Sequence, residues 1–334
     1  MPIQISGGVQ LTGPVTVEVG GSSPTPSGGF QGSNYGYTSG GDEHPTSGDR
    51  TSNIIDKFSF SSDGNATDVG DLAVAACLAT GQSSSTSGYN SGGQIVNSAG
   101  GYTDIQKFAF STDGNASDVA DLASVVVWAA GSSSSASGYA AGSGEPSRNN
   151  VIQKFPFASD GNATDVGDLT NSTYRQTGQS SSDNGYASGG YTGGSNFLNT
   201  IDKFSFSSDG NASDVGDLTQ NKGGSSGQSS TTHGYVTGGY TTSSPYPSGH
   251  ESRIEKFSFA SDGNGSNVGD LTVTQTQGSG QSSTTSGYGS GGQINDAYSQ
   301  TNTIEKFPFA SDGNGTDVGD LTVGRWNNTA GQQY

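Results

Sequence analysis

The residues of this chain best equipped for chemistry are its carboxylates. Asp63, Asp68 and Asp71 stand close together, and the trio recurs along the chain with Asn267 replacing one member once. Oxygen-rich turns containing glycine can hold Ca²⁺. Their spacing departs from an EF-hand loop, and one or two carboxylates per turn make a weak site. The acidic turns therefore read as solvated and paired with nearby lysines, and no metal is assigned. The same segments, Asp-Gly-Asn-(Ala/Gly)-(Thr/Ser), contain N-glycosylation acceptors at Asn65, Asn115, Asn162, Asn211, Asn264 and Asn314. Without a secretory signal the asparagine reads as a hairpin residue and the hydroxyl as a cap on the turn. His44, His233 and His250 lack metal-ligand spacing, and the single thiol, Cys77, lies in an apolar stretch. A hydrolase would need two acids in unlike environments, and no such pair is identifiable. No catalytic residue and no cofactor is assigned, and the chain is not expected to be an enzyme.

These residues belong to a repeat. The lysine opening "KFSFSSDGNATDVGDL" occurs at Lys57, Lys107, Lys154, Lys203, Lys256 and Lys306, in steps of 50, 47, 49, 53 and 50 residues. Tyr37, Tyr89, Tyr139, Tyr186, Tyr235 and Tyr288 keep the same step. A β-rich unit with a period near 50 residues is the signature of propeller blades. In the fourth repeat "QSSSD", "YASGGY", "TIDKFSFSS" and "ASDVGDL" read as four antiparallel strands, with tight turns at Asn184-Gly185 and Asp209-Gly210-Asn211. Alternation along the third strand puts Phe204 and Phe206 on one face and Ile201 and Lys203 on the other. The lysine stem is expected to pack along one blade interface, its amine near a "DVGD" carboxylate.

Composition sets further bounds. Hydrophobic residues make up 28% and glycine numbers 56, which without the periodicity would suggest disorder. The net charge is −18, and six of the twelve cationic residues are the repeated lysines, so binding to nucleic-acid phosphates is disfavoured. One cysteine allows no internal disulfide. No apolar run is long enough to span a membrane, and the N-terminus lacks a basic stretch followed by an apolar core, so neither membrane insertion nor a standard secretory signal is expected.

Three regions follow: residues 1–29, short alternating strands and a Gly/Ser/Pro linker forming an N-terminal attachment segment; residues 30–321, the repeats; and residues 322–334, a tail. The tail's "AGQQY" begins to repeat "TGQSS", so it is expected to supply the first blade's innermost strand and close the ring. Spacing from Gln82 to Tyr89 and from Lys57 to Asp63 is matched in the other repeats, whereas the link between second and third strands varies from about 8 to about 14 residues. One end of the propeller is thus uniform and the other varied, and binding is expected at the varied end.

With "G-Y-x-x-G-G" before "(I/V)-E-K-F" and "D-V-G-D-L", the unit resembles the kelch repeat. Gly-Gly doublets stand at Gly40-Gly41, Gly92-Gly93, Gly189-Gly190, Gly238-Gly239 and Gly291-Gly292, broken at Gly142-Ser143, and Phe58 and its equivalents occupy the kelch Tyr position. The family's Trp is replaced by Ala66 and its equivalents. The turn also partly resembles the sialidase Asp box, in Ser61-x-Asp63-x-Asn65-x-Thr67, which is a structural turn in that family. The Ser-rich "GQSSSTSGY" followed by "IDKFSFSSDGNATDVGDL" is similar to repeats in virion structural proteins of marine bacteriophages, cyanophages included. The fold expected is all-β, a six-bladed kelch-like propeller with four-stranded blades and a short N-terminal β segment. The function that resemblance implies is a structural component of a phage particle (capsid decoration, tail or fibre) present in many copies, with host-surface binding as an accompanying role. The alternative is an extracellular or cell-surface adhesin or lectin-like module. Partners are expected to be other virion proteins, met through the N-terminal segment and two apolar loops, "AVAACLAT" (73–80) and "ASVVVWAA" (123–130), and host-surface glycans or a receptor. Trp128 is the anchor candidate in the second loop. Tyr240, Tyr246 and His250, in "YTTSSPYPSGH", are candidates for a carbohydrate or receptor contact.

Overall fold

In a computed structural model, residues 31–43, 51–95, 100–194, 196–241, 249–294, 299–326 and 330–333 are described. They form a six-bladed β-propeller, each blade a sheet of four antiparallel strands, with no helix among the described residues. The N-terminal β segment expected over residues 1–29 lies outside them.

Five blades follow chain order from the innermost strand outward. The first is assembled from both ends of the chain. Its second, third and outermost strands are Tyr35–Ser39, Ile54–Ser59 and Thr67–Asp71, and its innermost strand is Ala330–Gln333, paired antiparallel with Tyr35–Ser39. The other innermost strands are Thr80–Ser83, Ala130–Ser133, Thr177–Ser180, Ser226–Ser229 and Ser279–Ser282.

These six strands meet around the axis through glycine. A Cβ on Gly178 would overlap the carbonyl oxygen of Gly131, one on Gly227 that of Gly178, and one on Gly280 that of Gly227. Gly331, Gly81 and Gly131 complete the circuit in the same way. Among the described residues the axis holds no apolar core, and the cavity along it is lined by Gly, Ser, Thr and Gln with Ala79 and Ala129. Serine hydroxyls bridge neighbours there: Ser83 N–H donates to Ser133 Oγ, Ser133 N–H to Ser180 Oγ, and Ser180 N–H to Ser229 Oγ, each at 3.0 Å.

The apolar core lies between blades instead. Between the third and fourth, Tyr139, Ile152 and Leu169 meet Phe204, Phe206 and Ala212. Tyr139 stacks on Phe206 at 4.8 Å between centroids and tilts against Phe204 at 5.6 Å. The same trio recurs at every interface, for example Tyr288 with Phe58 and Phe60 across the closure. The phenylalanine face of the third strand thus packs on the preceding blade and the Ile/Lys face on the following one, as the alternation requires.

Each repeat lysine reaches the next blade, where it pairs with the Asp of the Asp-Gly-Asn turn rather than with a "DVGD" carboxylate. The distances run from 2.5 Å (Lys256–Asp312) to 2.9 Å (Lys154–Asp209), and Lys306–Asp63 completes the circle. The turn asparagine is a second latch: Asp71 N–H donates to Asn115 Oδ1 at 3.1 Å, and Asp320 N–H does so to Asn65. The aspartates are about half exposed, 41–59%, so each pair contributes at most about 1 kcal/mol. Burying one aromatic ring is worth about 1.5–3 kcal/mol. Aromatic packing holds the blades together, and the ion pairs fix their register.

The Asn184-Gly185 turn is displaced. The structure turns at Ser181–Asn184, with Ser181 N–H donating to Asn184 O at 2.9 Å and Asn184 N–H to Ser181 Oγ at 3.0 Å. A serine stands at this position in the other chain-order blades (Ser84, Ser134, Ser230, Ser283) and caps the turn in the same way. Gly185 is needed instead beneath the Phe204 ring, where any Cβ would collide.

The outermost strands carry a register shift at each third-strand pairing. In the first blade it falls at Val69, whose side chain joins the interface core while Asp68 stays exposed. Bulges and carboxylates together blunt an edge that would otherwise pair with another sheet. At this rim a Cβ on Gly70 would overlap the carbonyl of Gly114 in the next blade. The second blade has Ala120 at that position, and the facing turn rearranges. Asp160 takes φ +46°, whereas Gly64, Gly114, Gly210 and Gly263 hold φ between 153° and 156° in theirs.

These two glycine contacts differ in what can yield. Gly70→Ala meets a surface turn with a known alternative conformation and should cost about 1 kcal/mol, the low end for one strained non-glycine residue. Gly178→Ala meets a strand held on every side and should cost about 3 kcal/mol or more. Urea unfolding of the two variants checks this; equal losses would show that the axis is no tighter than the rim.

Candidate binding site on the varied loop face

At the varied end, each outermost strand leads through a short segment to the next innermost strand. The repeat leucine that starts this segment is buried, and the first or second residue after it is capped from the next blade. Gln106 and Gln153 accept from the amides of Val74 and Ser124, whereas Asp202, Glu255, Glu305 and Asp56 accept from Thr170, Thr219, Thr272 and Thr322. Four residues past the leucine, two segments place a cation against that carboxylate. Lys222 lies 2.7 Å from Glu255, and Arg325 pairs with Asp56, all four side chains almost wholly buried. Arg325 also donates to Ile54 O at 3.0 Å, clasping the C-terminal segment to the first blade. Asp202 has Thr173 at this position, and burial pushes its carboxyl above the ordinary range.

Six residues past the leucine the backbone is left-handed at each described position: Leu78 (φ 60°), Trp128 (60°), Arg175 (64°), Gly224 (66°) and Gln277 (56°). Hydrogen bonds link these residues blade to blade. Trp128 N–H donates to Leu78 O at 2.9 Å, Arg175 to Trp128 at 2.8 Å, Gly224 to Arg175 at 2.9 Å and Gln277 to Gly224 at 2.6 Å. They stand two residues before the innermost strands and so crown the tunnel mouth at this end. Left-handed geometry costs a non-glycine residue about 1–3 kcal/mol. Four different side chains are nonetheless held there on one backbone frame.

Two candidate residues meet at this crown. Arg175 lies over the Trp128 ring at 4.7 Å and over the Tyr240 ring at 5.4 Å. Around it Trp128 contacts Tyr174 (5.4 Å), Tyr174 contacts Tyr191 (5.2 Å), Tyr191 contacts Phe197 (4.7 Å) and Phe197 contacts Tyr240 (5.0 Å). A half-buried guanidinium over an aromatic face gains about 0.5–2 kcal/mol per contact. Tyr240 is buried and pairs across a β-bridge with half-buried His250. Tyr246 lies outside the described residues.

The apolar loops 73–80 and 123–130 meet in part, while Ala76 and Ala79 join one blade-interface core and Val126 and Ala129 the next. Cys77, Leu78 and Val127 form one cluster, with only Val125 and Trp128 partly exposed beside it. Burial pushes the Cys77 thiol up to about 12 and makes it a poor nucleophile. The described histidines do not converge. His233 lies at the uniform end beside Tyr235, and no metal-ligating group of acids, His and Cys occurs among the described residues.

Tyr174, Arg175, Tyr191 and Phe197 were not among the expected site residues. A signal existed in "TNSTYRQT", since a Tyr-Arg pair stands where the neighbouring repeats carry Val-Trp and Gly-Gly. Geometry of this kind defines a β-propeller with one differentiated end. No protein-family model and no curated protein matches the sequence, so that class rests on the fold itself.

Asp202 offers a pH test. A carboxyl raised in the folded state loses stability as pH climbs from its unfolded value through its folded one, and the loss is complete above that. Asp202→Asn keeps one acceptor for both Thr170 donors, the amide and the hydroxyl, which each lie 2.9 Å from the same carboxylate oxygen. The variant should match the native chain below about pH 4 and equal or exceed its stability at neutral pH. Thermal unfolding across that range measures the difference. A variant less stable at pH 7 than at pH 4, relative to the native chain, would contradict it.

Proposed function

We propose that this protein is a non-catalytic structural and recognition component of a bacteriophage particle, a capsid decoration or a tail or fibre part, whose varied loop face meets the host surface. The crown carries this reading: one repeated backbone frame displays Leu78, Trp128, Arg175 and Gln277, unlike side chains on like positions. Repeated polar residues are consumed elsewhere, since the Lys, Asp and Asn of each unit latch neighbouring blades. That use supports a scaffold rather than an enzyme. The virion assignment itself rests on the resemblance of the Ser-rich, KFSFSSDGN-type repeats, with their kelch-like Gly-Gly doublets, to phage virion proteins.

Chain polarity supports the same reading. The described chain begins at the uniform end near the axis, where Gln31 Nε2 donates to Ser229 O at 2.9 Å and Gly32 N–H to Ser282 O at 2.8 Å. An attachment segment preceding residue 31 would leave from the end opposite the crown. Anchored through it, the propeller would present the crown outward. The aromatic cluster around Arg175 favours a second reading, a cell-surface adhesin or lectin-like module, in which the same face binds without a particle.

Mass spectrometry of density-purified particles separates the two. A virion component is expected in many copies per particle, at a stoichiometry fixed by particle symmetry. Its absence from purified particles that retain their capsid and tail proteins would sink the first reading.

A further inference from the structure

Beside the crown, the loop following the third blade's second strand borders an open cavity of about 290 Å³, lined by Trp128, Gly144, Glu145, Ser147, Arg148 and Tyr174. It approaches the roughly 300 Å³ at which pockets begin to enclose a small organic ligand. Its chemistry is of two kinds. Trp128 and Tyr174 supply ring faces inclined at 39°, both partly exposed. Glu145, Ser147 and Arg148 supply an acceptor, a hydroxyl and a planar fork of donors.

The polar groups are available for a ligand. Most cations among the described residues are committed: the repeat lysines to turn aspartates, Lys222 to Glu255, Arg325 to Asp56 and Arg253 to Glu251. Arg148 makes no ion pair within the described residues, and its side chain is exposed. Its guanidinium lies across Gly193, where any Cβ would displace it. Glu145 is tied down through its backbone, its amide to Ser143 Oγ at 3.3 Å and its carbonyl from that hydroxyl at 2.9 Å. Glu145 and Arg148 both line the cavity.

The geometry points to a binding site for one neutral pyranose unit of a glycan. Such a ring has an apolar C–H face that stacks on Trp128 or Tyr174, where the negative aromatic face meets polarised hydrogens. Its hydroxyls can donate to Glu145 and accept from Arg148 at the same time. An anionic sugar would meet Glu145 and a chain of net charge −18, and a cation would meet Arg148 beside Arg175. A neutral polyol satisfies both charges. The assignment rests on reading the loop face as the recognition end.

The test is a tryptophan-fluorescence titration of the purified chain with the methyl pyranosides of glucose, mannose, galactose and N-acetylglucosamine. Trp128 lines the cavity, and the chain's other tryptophan, Trp326, is buried on another blade interface. At least one glycoside should give a saturable change, weakened at least tenfold by Arg148→Ala, a surface substitution that leaves thermal unfolding intact. No saturable response to any of the four, or a response unaltered in Arg148→Ala, overturns the site. A glucuronide binding more tightly than the matching glucoside overturns the neutral class. Because the titration uses no particles, its failure leaves virion membership untouched, and failure of the particle test leaves this binding standing.

Discussion

Everything in this propeller is built around how closely six strands can approach one axis. With only hydrogen at the Cα of Gly81, Gly131, Gly178, Gly227, Gly280 and Gly331, each innermost strand can press on the carbonyl of its neighbour. No side chain fits at those positions, and the residues beside them around the axis are mostly Ser, Thr and Gln, so the centre is polar. The hydrophobic material is displaced outward into one cluster per blade interface, each centred on a tyrosine and two phenylalanines. A chain with only 28% hydrophobic residues folds because its core is divided and each portion is dense.

The departures from symmetry obey the same packing. Ala120 takes the place of a rim glycine, and the turn it faces, at Asp160, adopts another backbone conformation in response. Thr170, Thr219, Thr272 and Thr322 meet a carboxylate from the next blade, whereas Val74 and Ser124 meet a glutamine that both donates and accepts. Cations enter the loop segments at Lys222 and Arg325, where a glutamate or aspartate is already buried. Such a pair adds little net stability but is costly to break. Arg325 stands where the circle is closed by a strand from the other terminus, and there its contacts secure the seam.

The two ends of the molecule have consequently separated. At the uniform end the repeated Lys, Asp and Asn are committed to neighbouring blades. At the other end the backbone repeats and the side chains do not, and left-handed geometry is tolerated at Trp128 and Arg175 because blade-to-blade hydrogen bonds hold it. Strain maintained in this way commonly marks a working surface.

Much of this was legible without coordinates. The step of the lysines and tyrosines gave blade number, strand order and the faces of the third strand, because period-two alternation and a fixed repeat length are local properties. The tail's partial copy of "TGQSS" indicated where the ring would close. Partners across blades were not legible. A repeat makes all six lysines equivalent, but it does not say that each reaches the next blade's turn aspartate instead of the nearer "DVGD" acid. Nor did Asn184-Gly185 turn the chain, since the ring of Phe204 claimed that glycine. Trp128 stood out by residue type alone. Arg175, Tyr174, Tyr191 and Phe197 did not, because they gain a site only where Trp128 and Tyr240, from the repeats on either side, meet them after the circle forms. The amino-acid order alone determined the unit and its number. Which side chains face one another was decided by ring closure, which brings positions about one repeat apart into contact and imposes on the loop ends a backbone geometry that no local pattern encodes.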